Sequence, residues 1–210
     1  SASSVIHYHA NIHKALKYAV KLDLISSNPA DKIERPKKER FMANFYDADE
    51  VNRLFEISKG TKLEIPILFG AFYGMRRSET LGMKWDAIDF ERDTITIRHT
   101  LTTVALDGKR ITVAEDRTKN KSSMRTLPLV PFVKERLLEL KAEQEENRRL
   151  CGRSYVKDYT GYVCINEIGD IIKPNYVSCG FPKLLEEHGL RRVRYHDLRH
   201  SCASLLLANG

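Results

Sequence analysis

The sequence predicts a mainly α protein into which a small three-stranded antiparallel β-sheet is inserted, an α+β fold. Two observations lead to this prediction. Apolar residues recur at helical spacing along most of the 210 residues. The stretch near residues 94–129 differs, because apolar and polar side chains alternate there with the period of a strand.

The N-terminal part predicts one helix and a linker. Residues 5–25 place apolar side chains on one helical face. The helix should end before Asn28-Pro29, because the residue that precedes a proline is driven out of the α conformation. Residues 33–40 are basic and contain a proline, which is typical of a linker between domains.

Capping signals and periodicity predict the remaining elements. Acidic residues after Asp47 indicate a helix N-terminus, Gly74 suits the end of a buried helix, and Pro131 suits the first position of another. We predict further helices from Asp47, over 63–73, from Ser78, over 131–150, over 174–188 and over 196–208. We predict strands over 94–101, 110–113 and 125–129, with a turn at Asp107-Gly108, and a short strand over 162–165.

The composition favours a globular protein with an anionic partner. Hydrophobic residues make up 42% of the chain and charged residues 30%, which excludes disordered and membrane-spanning classes. Lysine and arginine number 35 against 28 acids, and the net charge of +7 favours nucleic acid as the partner. The four cysteines are scattered and form no C-x-x-C pair, as expected for reduced thiols in the cytoplasm.

The first candidate site lies in the segment Tyr73–Trp85. Arg76 follows a glycine turn and stands at the mouth of a new helix, where unpaired N–H groups and the helix dipole attract anions. A guanidinium at this place can hold a phosphate through two parallel hydrogen bonds. Taken alone, Arg76 and Arg77 also fit a solvated arginine pair at a helix end.

The second candidate site is the basic hairpin 118–129, in which Lys119 and Lys121 precede an apolar strand. A lysine at a hairpin tip can reach a ligand and donate a proton if neighbouring cations lower its pKa. A solvated basic turn explains the same residues when they are considered alone.

The third candidate site is the segment 195–200, which opens the last predicted helix. His196 and Arg199 are three residues apart and therefore project from one helical face. His196 and His200 also resemble the paired histidines of a zinc helix, but Asp197 is shorter than the glutamate that such a helix requires. No third ligand is evident, so we predict no metal site and no cofactor.

Together, these three segments resemble the tyrosine recombinase family, also called the phage integrase family. The family shows an arginine box, a lysine hairpin and an H-x-L-R-H helix in this order. The resemblance implies the DNA breaking-rejoining catalytic fold. It also implies that residues 1–40 are the last helix of a core-binding domain plus a linker, and that 41–210 are a catalytic domain.

The resemblance also implies roles for individual residues. Arg76 and Arg199 would be the catalytic arginines, Lys119 the hairpin lysine and His196 the helix histidine, with Glu79 supporting the site. Lys121 competes with Lys119 for the role of the hairpin lysine.

Further positions are expected to contact DNA or to be structural. The expected DNA-contacting residues are Arg77, Lys121, Arg125, Lys37 and Lys38. His200 is expected to be buried.

One departure from the family pattern affects activity. The family places a second His or Trp, and then the nucleophilic tyrosine, beyond the H-x-L-R-H helix, and none of the nine tyrosines matches that position. We therefore expect a catalytic domain truncated before its nucleophile and unable to cleave DNA. Two alternatives stay open, a catalytically inactive DNA-binding protein on the same fold and an enzyme similar to type IB topoisomerases.

The resemblance finally implies partners and a location. We expect double-stranded DNA as the substrate and a homotetramer on DNA for the full-length protein, with this shorter chain monomeric. An accessory directionality factor is an expected partner and a membrane is not. The expected location is the bacterial cytoplasm, in association with the nucleoid.

Overall fold

The computed structural model of the protein describes residues 1–37, 45–115 and 124–208. The chain divides into two compact units, residues 1–42 and residues 43–210. Within the described ranges, every helix is either too short or too polar to cross a bilayer.

The first unit consists of one long helix and a short turn. Helix α1 spans Ala2–Lys21, so the helix predicted over 5–25 begins and ends earlier than expected. Asp23 ends it by adopting a left-handed conformation with φ 54°, which no α-helix continues. Asn28 instead begins the 3₁₀ helix Pro29–Lys32, where its side chain accepts a hydrogen bond from the backbone N–H of Ala30 at 3.0 Å.

The described part of the second unit contains six α-helices. They are α2 (Ala48–Ser58), α3 (Glu64–Phe72), α4 (Arg77–Leu81), α5 (Pro131–Cys151), α6 (Pro174–Glu187) and α7 (Leu198–Ala208). Local signals explain their limits. Asp47 and Glu50 form a reciprocal capping box at the start of α2, and Pro131 occupies the first position of α5. The mainly helical prediction is confirmed.

The strands form two sheets, so the single three-stranded sheet predicted from the alternation is wrong in its membership. The strands are β1 (Ile88–Asp89), β2 (Thr94–Ile97), β3 (Thr100–Leu106), β4 (Lys109–Glu115) and β5 (Arg125–Pro128). One sheet has the antiparallel order β1-β2-β5, and β3 and β4 form a separate hairpin. Strand β2 ends at Ile97, and residues 98–99 separate it from β3. Both edges of β2 are paired, one with β1 and the other with β5, so β3 cannot pair with β2.

The short strand predicted over 162–165 is also wrong. Tyr162 forms an isolated bridge with Lys84, and Ile165 forms another with Ile171. The segment pairs its backbone with two different neighbours in turn, so neither pairing extends into a ladder.

Helix α3 is the centre of the core and anchors the helices that surround it. Residues 65–71 of this helix are all buried. The phenol of Tyr195, just before α7, donates a hydrogen bond to the carbonyl of Pro66 in α3 and lies 3.2 Å from Thr80 Oγ1 in α4. Burial raises the pKa of Tyr195 above its ordinary value, so the phenol remains a donor. The starts of α4 and α7 are thereby held against one scaffold.

A glycine at the end of α4 allows β3 to approach closely, which gives a testable stability prediction. A Cβ atom added at Gly82 would lie 2.6 Å from the Cα of Thr100. Gly82→Ala should therefore lower the free energy of unfolding by about 1–3 kcal/mol, measured by urea denaturation. The control is Gly161→Ala, because an added Cβ there meets nothing within 4 Å. Equal losses in the two variants would contradict the close-approach explanation.

Candidate active site

The site begins at the N-terminus of α4, where Glu79 fixes Arg76. Gly74 adopts φ 58°, which turns the chain sharply after α3. Arg76 follows and precedes the first residue of α4. Its backbone N–H donates to Glu79 Oε2 at 2.9 Å, and its Nη1 donates to Glu79 Oε1 at 2.7 Å. Backbone and side chain of Arg76 are thus held by one carboxylate.

Two further arginines converge on the same carboxylate. Arg125, on β5, donates from Nη2 to Glu79 Oε2 at 3.0 Å, and Arg199, on α7, places Nη1 3.7 Å from that oxygen. The side chain of Glu79 is only 2% exposed. We call Arg76, Arg125 and Arg199 the arginine cluster. Three guanidinium cations share one carboxylate, so the cluster has an excess of positive charge that favours an anion.

The carboxylate of Glu79 is ionised. Burial alone would raise its pKa, but the hydrogen bond from Arg125, the two from Arg76 and the charge of Arg125 outweigh that effect. The pKa of Glu79 therefore lies below its ordinary value. A buried carboxylate that is ionised at neutral pH is stable only while its cationic partners stay in place.

Arg199 is the member of the cluster that is least satisfied. Its Nη1 is buried and has no hydrogen-bond partner among the residues that the structure describes. Burial and the nearby Arg76 cation lower the pKa of Arg199, although a guanidinium remains charged at physiological pH. A buried donor without an acceptor is unfavourable, and an oxyanion bound beside it would remove that penalty.

His196 lies one turn before Arg199 and is exposed. Burial of part of the ring, the Arg199 cation and His200 lower the pKa of His196 below its ordinary value of 6.5. The imidazole is therefore neutral at pH 7 and can accept or pass on a proton.

His200 is exposed, and the expectation that it would be buried is wrong. The buried face of α7 is formed by Leu198, Ser201 and Cys202 instead. The rings of His196 and His200 pack edge to face at 6.0 Å. In the part of the chain that the structure describes, no group of three or more His, Cys, Asp or Glu residues is arranged to hold a metal ion.

The start of α7 has a support that the sequence did not indicate. Asp197 is 3% exposed, and its carboxylate accepts hydrogen bonds from the backbone N–H, Nε and Nη2 of Arg194 at 2.8–3.0 Å. These contacts fix the turn that holds His196. Only the spacing of Arg194 and Asp197, which fits a capping box, could have suggested them.

The predicted DNA-contacting residues and the predicted catalytic lysine, Lys119, fall into three groups. Arg77 and Lys37 are exposed, and Arg77 Nη1 donates to Ser178 Oγ. Arg125 lies in the arginine cluster, a placement that the sequence did not foresee. Lys38, Lys119 and Lys121 lie outside the described residues.

Residues 44–210 match the phage integrase family. The chain belongs to this family. The family resemblance inferred from the three segments is therefore confirmed, as is the fold class.

Several phage integrase relatives are similar along most of the chain. A tyrosine recombinase XerC-like protein of Caldanaerobacter subterraneus is 29% identical over 192 residues, covering 89% of this chain and 48% of the relative. The ICEBs1 integrase of Bacillus subtilis is 26% identical over 217 residues, covering 100% of this chain and 55% of the relative. The chain thus spans about half the length of these relatives.

Solved structures of DNA-bound integrases share the fold. The Tn1549 transposon integrase in complex with a circular intermediate DNA superimposes with a TM-score of 0.76 at 18% identity. That match covers 99% of this chain and 67% of the other. A lambda integrase dimer bound to a COC′ core site gives a TM-score of 0.63 at 16% identity, covering 99% of this chain and 53% of the other.

The shared carboxylate leads to a stability prediction for Glu79→Gln. The substitution should lower the free energy of unfolding at pH 7 by about 2 kcal/mol, because the arginine cluster loses its counter-charge while keeping some solvent access. The folded-state pKa of Glu79 is depressed, so its contribution is present at neutral pH and is lost on acidification. Urea denaturation at pH 7 and at an acidic pH measures the free energy of unfolding in each case. The control is Glu186→Gln, at an exposed position. A difference that does not shrink in acid would contradict the assignment.

The environment of His196 leads to a prediction about its titration. An NMR titration of its imidazole should give a midpoint below 6.5. In Arg199→Gln the midpoint should rise, because one of the cations that disfavour the imidazolium is removed. Arg92→Gln is the control, because that side chain is 85% exposed, and it should leave the His196 midpoint unchanged. An unchanged His196 midpoint in Arg199→Gln would show that the two side chains do not interact.

Proposed function

We propose that the protein containing this chain catalyses site-specific DNA recombination, the integration of a mobile element, by transesterification at a phosphodiester. The observation that supports it best is the arginine cluster, in which three guanidinium cations share a single buried carboxylate and Arg199 Nη1 lacks a hydrogen-bond acceptor among the described residues. Such a site favours a tetrahedral anion. Membership of the phage integrase family makes a DNA phosphate the expected anion.

Arg76 and Arg199 would bind the two non-bridging oxygens of the scissile phosphate. Negative charge develops on these oxygens in the pentavalent transition state, and preorganised cations stabilise that state more than the ground state. Arginine suits this role because it is permanently charged and donates through a planar fork.

Proton transfer would be divided between two groups. The attacking tyrosine hydroxyl loses its proton with the help of neutral His196 as its oxygen bonds to phosphorus. The bond to the 5′ oxygen breaks at the same phosphorus, and Lys119, or Lys121, protonates that leaving oxygen. The product is a 3′-phosphotyrosyl bond and a free 5′ hydroxyl. The linkage retains the phosphodiester energy, so rejoining needs no nucleoside triphosphate.

The proposed reaction needs a tyrosine outside the 210 residues. None of the nine tyrosines follows the third segment at the family position, and the chain spans about half the length of its relatives. We therefore expect the 210-residue chain alone to form no adduct. The proposed substrate is double-stranded DNA, with exposed basic residues such as Arg77 and Lys37 contacting phosphates. A tetramer on DNA and an accessory directionality factor belong to the same proposal.

The decisive experiment uses the complete reading frame and a nicked suicide duplex. The wild-type protein should form a covalent protein–DNA adduct. Arg76→Ala and Arg199→Ala should each reduce the single-turnover rate by about 10²–10³-fold, because each removes a cation that stabilises the transition state. Arg92→Ala is the control, since that side chain is 85% exposed and pairs only weakly with Asp89 at 3.9 Å.

Three outcomes would count against the proposal. Absence of any adduct would favour an inactive DNA-binding protein on the same fold. Relaxation of supercoiled DNA without strand exchange would favour an enzyme similar to type IB topoisomerases. Full activity in Arg199→Ala would contradict the role of the arginine cluster.

A substrate with a better leaving group separates the two candidate lysines. The lysine that acts as general acid should be dispensable when the 5′ bridging oxygen is replaced by sulfur, because a thiolate leaves without protonation. Lys119→Ala should therefore cleave a normal phosphodiester slowly and a phosphorothiolate at nearly the wild-type rate. Lys121→Ala, measured in parallel, should show no such difference. The reverse result would assign the role to Lys121.

A further inference from the structure

Arg125 is not needed by the proposed reaction, yet it lies in the arginine cluster. It is the first residue of β5 and pairs with Ile97 of β2. Its side chain is 29% exposed, and Nη2 donates to Glu79 Oε2 at 3.0 Å across 46 positions of sequence. A residue that only contacted DNA would not need to reach a buried carboxylate.

The geometry around Glu79 Oε2 shows a competition for this atom. The oxygen accepts from the backbone N–H of Arg76 at 2.9 Å and from Arg125 Nη2 at 3.0 Å. A carboxylate oxygen has about two acceptor positions, so these two donors fill them. Arg199 Nη1 stands at 3.7 Å, outside hydrogen-bonding distance, and is buried without a partner among the described residues.

We propose that Arg125 is a positioning residue that occupies Glu79 Oε2 and so keeps Arg199 Nη1 available for the substrate phosphate. The inference rests on the proposed function. If the donor at position 125 were lost, Arg199 would move by about 0.8 Å to a hydrogen bond with Glu79 at about 2.9 Å. That bond would satisfy Arg199 in the free enzyme. The Arg199–Glu79 bond would have to break before Arg199 could bind the phosphate. The free energy needed to break it would offset part of the stabilisation that Arg199 gives to the transition state.

A structural measurement tests the inference without requiring activity. Arg125→Met keeps an apolar stem of similar length and removes every donor. In the crystal structure of that variant, the distance from Arg199 Nη1 to Glu79 Oε2 should fall from 3.7 Å into the hydrogen-bonding range. In Arg125→Lys, an ammonium can still occupy Oε2 and the distance should stay long. An unchanged distance in Arg125→Met would overturn the inference.

A kinetic measurement with two substrates separates positioning from a merely structural role. Single-turnover cleavage by Arg125→Met should be roughly 10- to 100-fold slower on a normal phosphodiester, the range seen when partners that orient a site are removed. DNA affinity should fall by a much smaller factor, because contacts with many other phosphates supply most of it. On a methylphosphonate, one charged oxygen is replaced by a methyl group and Arg199 has less charge to neutralise. The loss of cleavage rate in Arg125→Met should therefore be smaller on the methylphosphonate, and so should the loss in Arg199→Ala. The control variant Arg92→Met should cleave both substrates at the wild-type rate.

Each remaining outcome has a defined meaning. Equal losses of Arg125→Met on both substrates would indicate structural damage and overturn the inference, and so would a loss confined to DNA affinity. If Arg125→Met does not fold, the cleavage rate of Arg125→Lys tests the inference instead. That rate should stay within about threefold of the wild-type rate. If the wild-type protein forms no adduct, the proposed function fails, whereas the Arg199–Glu79 distance still decides the role of Arg125.

Discussion

One buried negative charge organises the unit of residues 43–210. The carboxylate of Glu79 is almost inaccessible to solvent and is shared by Arg76, Arg125 and Arg199, which come from a helix start, a strand and a second helix. Ionised carboxylates are not tolerated in protein interiors unless cations and donors surround them. The relative placement of α4, β5 and α7 is therefore tied to a single pair of oxygen atoms, and the arginines retain a charge excess directed at a ligand.

The rest of the core serves to hold that geometry. Helix α3 is buried on all sides, and the Tyr195 phenol bonds to its Pro66 carbonyl while contacting Thr80 beside Glu79. The phenol can reach α3 because Gly70 has no side chain, since an added Cβ would lie 2.9 Å from the Tyr195 oxygen. The hydrophobic effect supplies the stability, and these few polar contacts set the register between helices.

Local physics explains which parts could be predicted from the sequence. Caps, prolines and helical periodicity depend on neighbouring residues, and they predicted the helices and placed Arg76, His196 and Arg199 on them. Strand membership depends on which strand edges are free. The alternation over 94–129 therefore indicated strands, but it did not show that, in the described part of the chain, β3 and β4 pair with each other and not with β2. The contact of Arg125 with Glu79 leaves no periodic signal. His200 was misplaced because its burial was inferred from its position in the family motif, whereas Leu198, Ser201 and Cys202 form the buried face of α7.

The separation of Arg76 and Arg199 along the chain has a consequence for biosynthesis. Arg199 follows Arg76 by 123 positions, and Arg125 lies between them. Proteins emerge from the ribosome from the N-terminus, so a nascent chain displays the carboxylate and two of its guanidinium partners well before the third. The complete arginine cluster forms only once α7 has folded against α3. Until then the carboxylate lacks its third cation, so the charge excess of the arginine cluster is a property of the finished fold and of no shorter nascent chain.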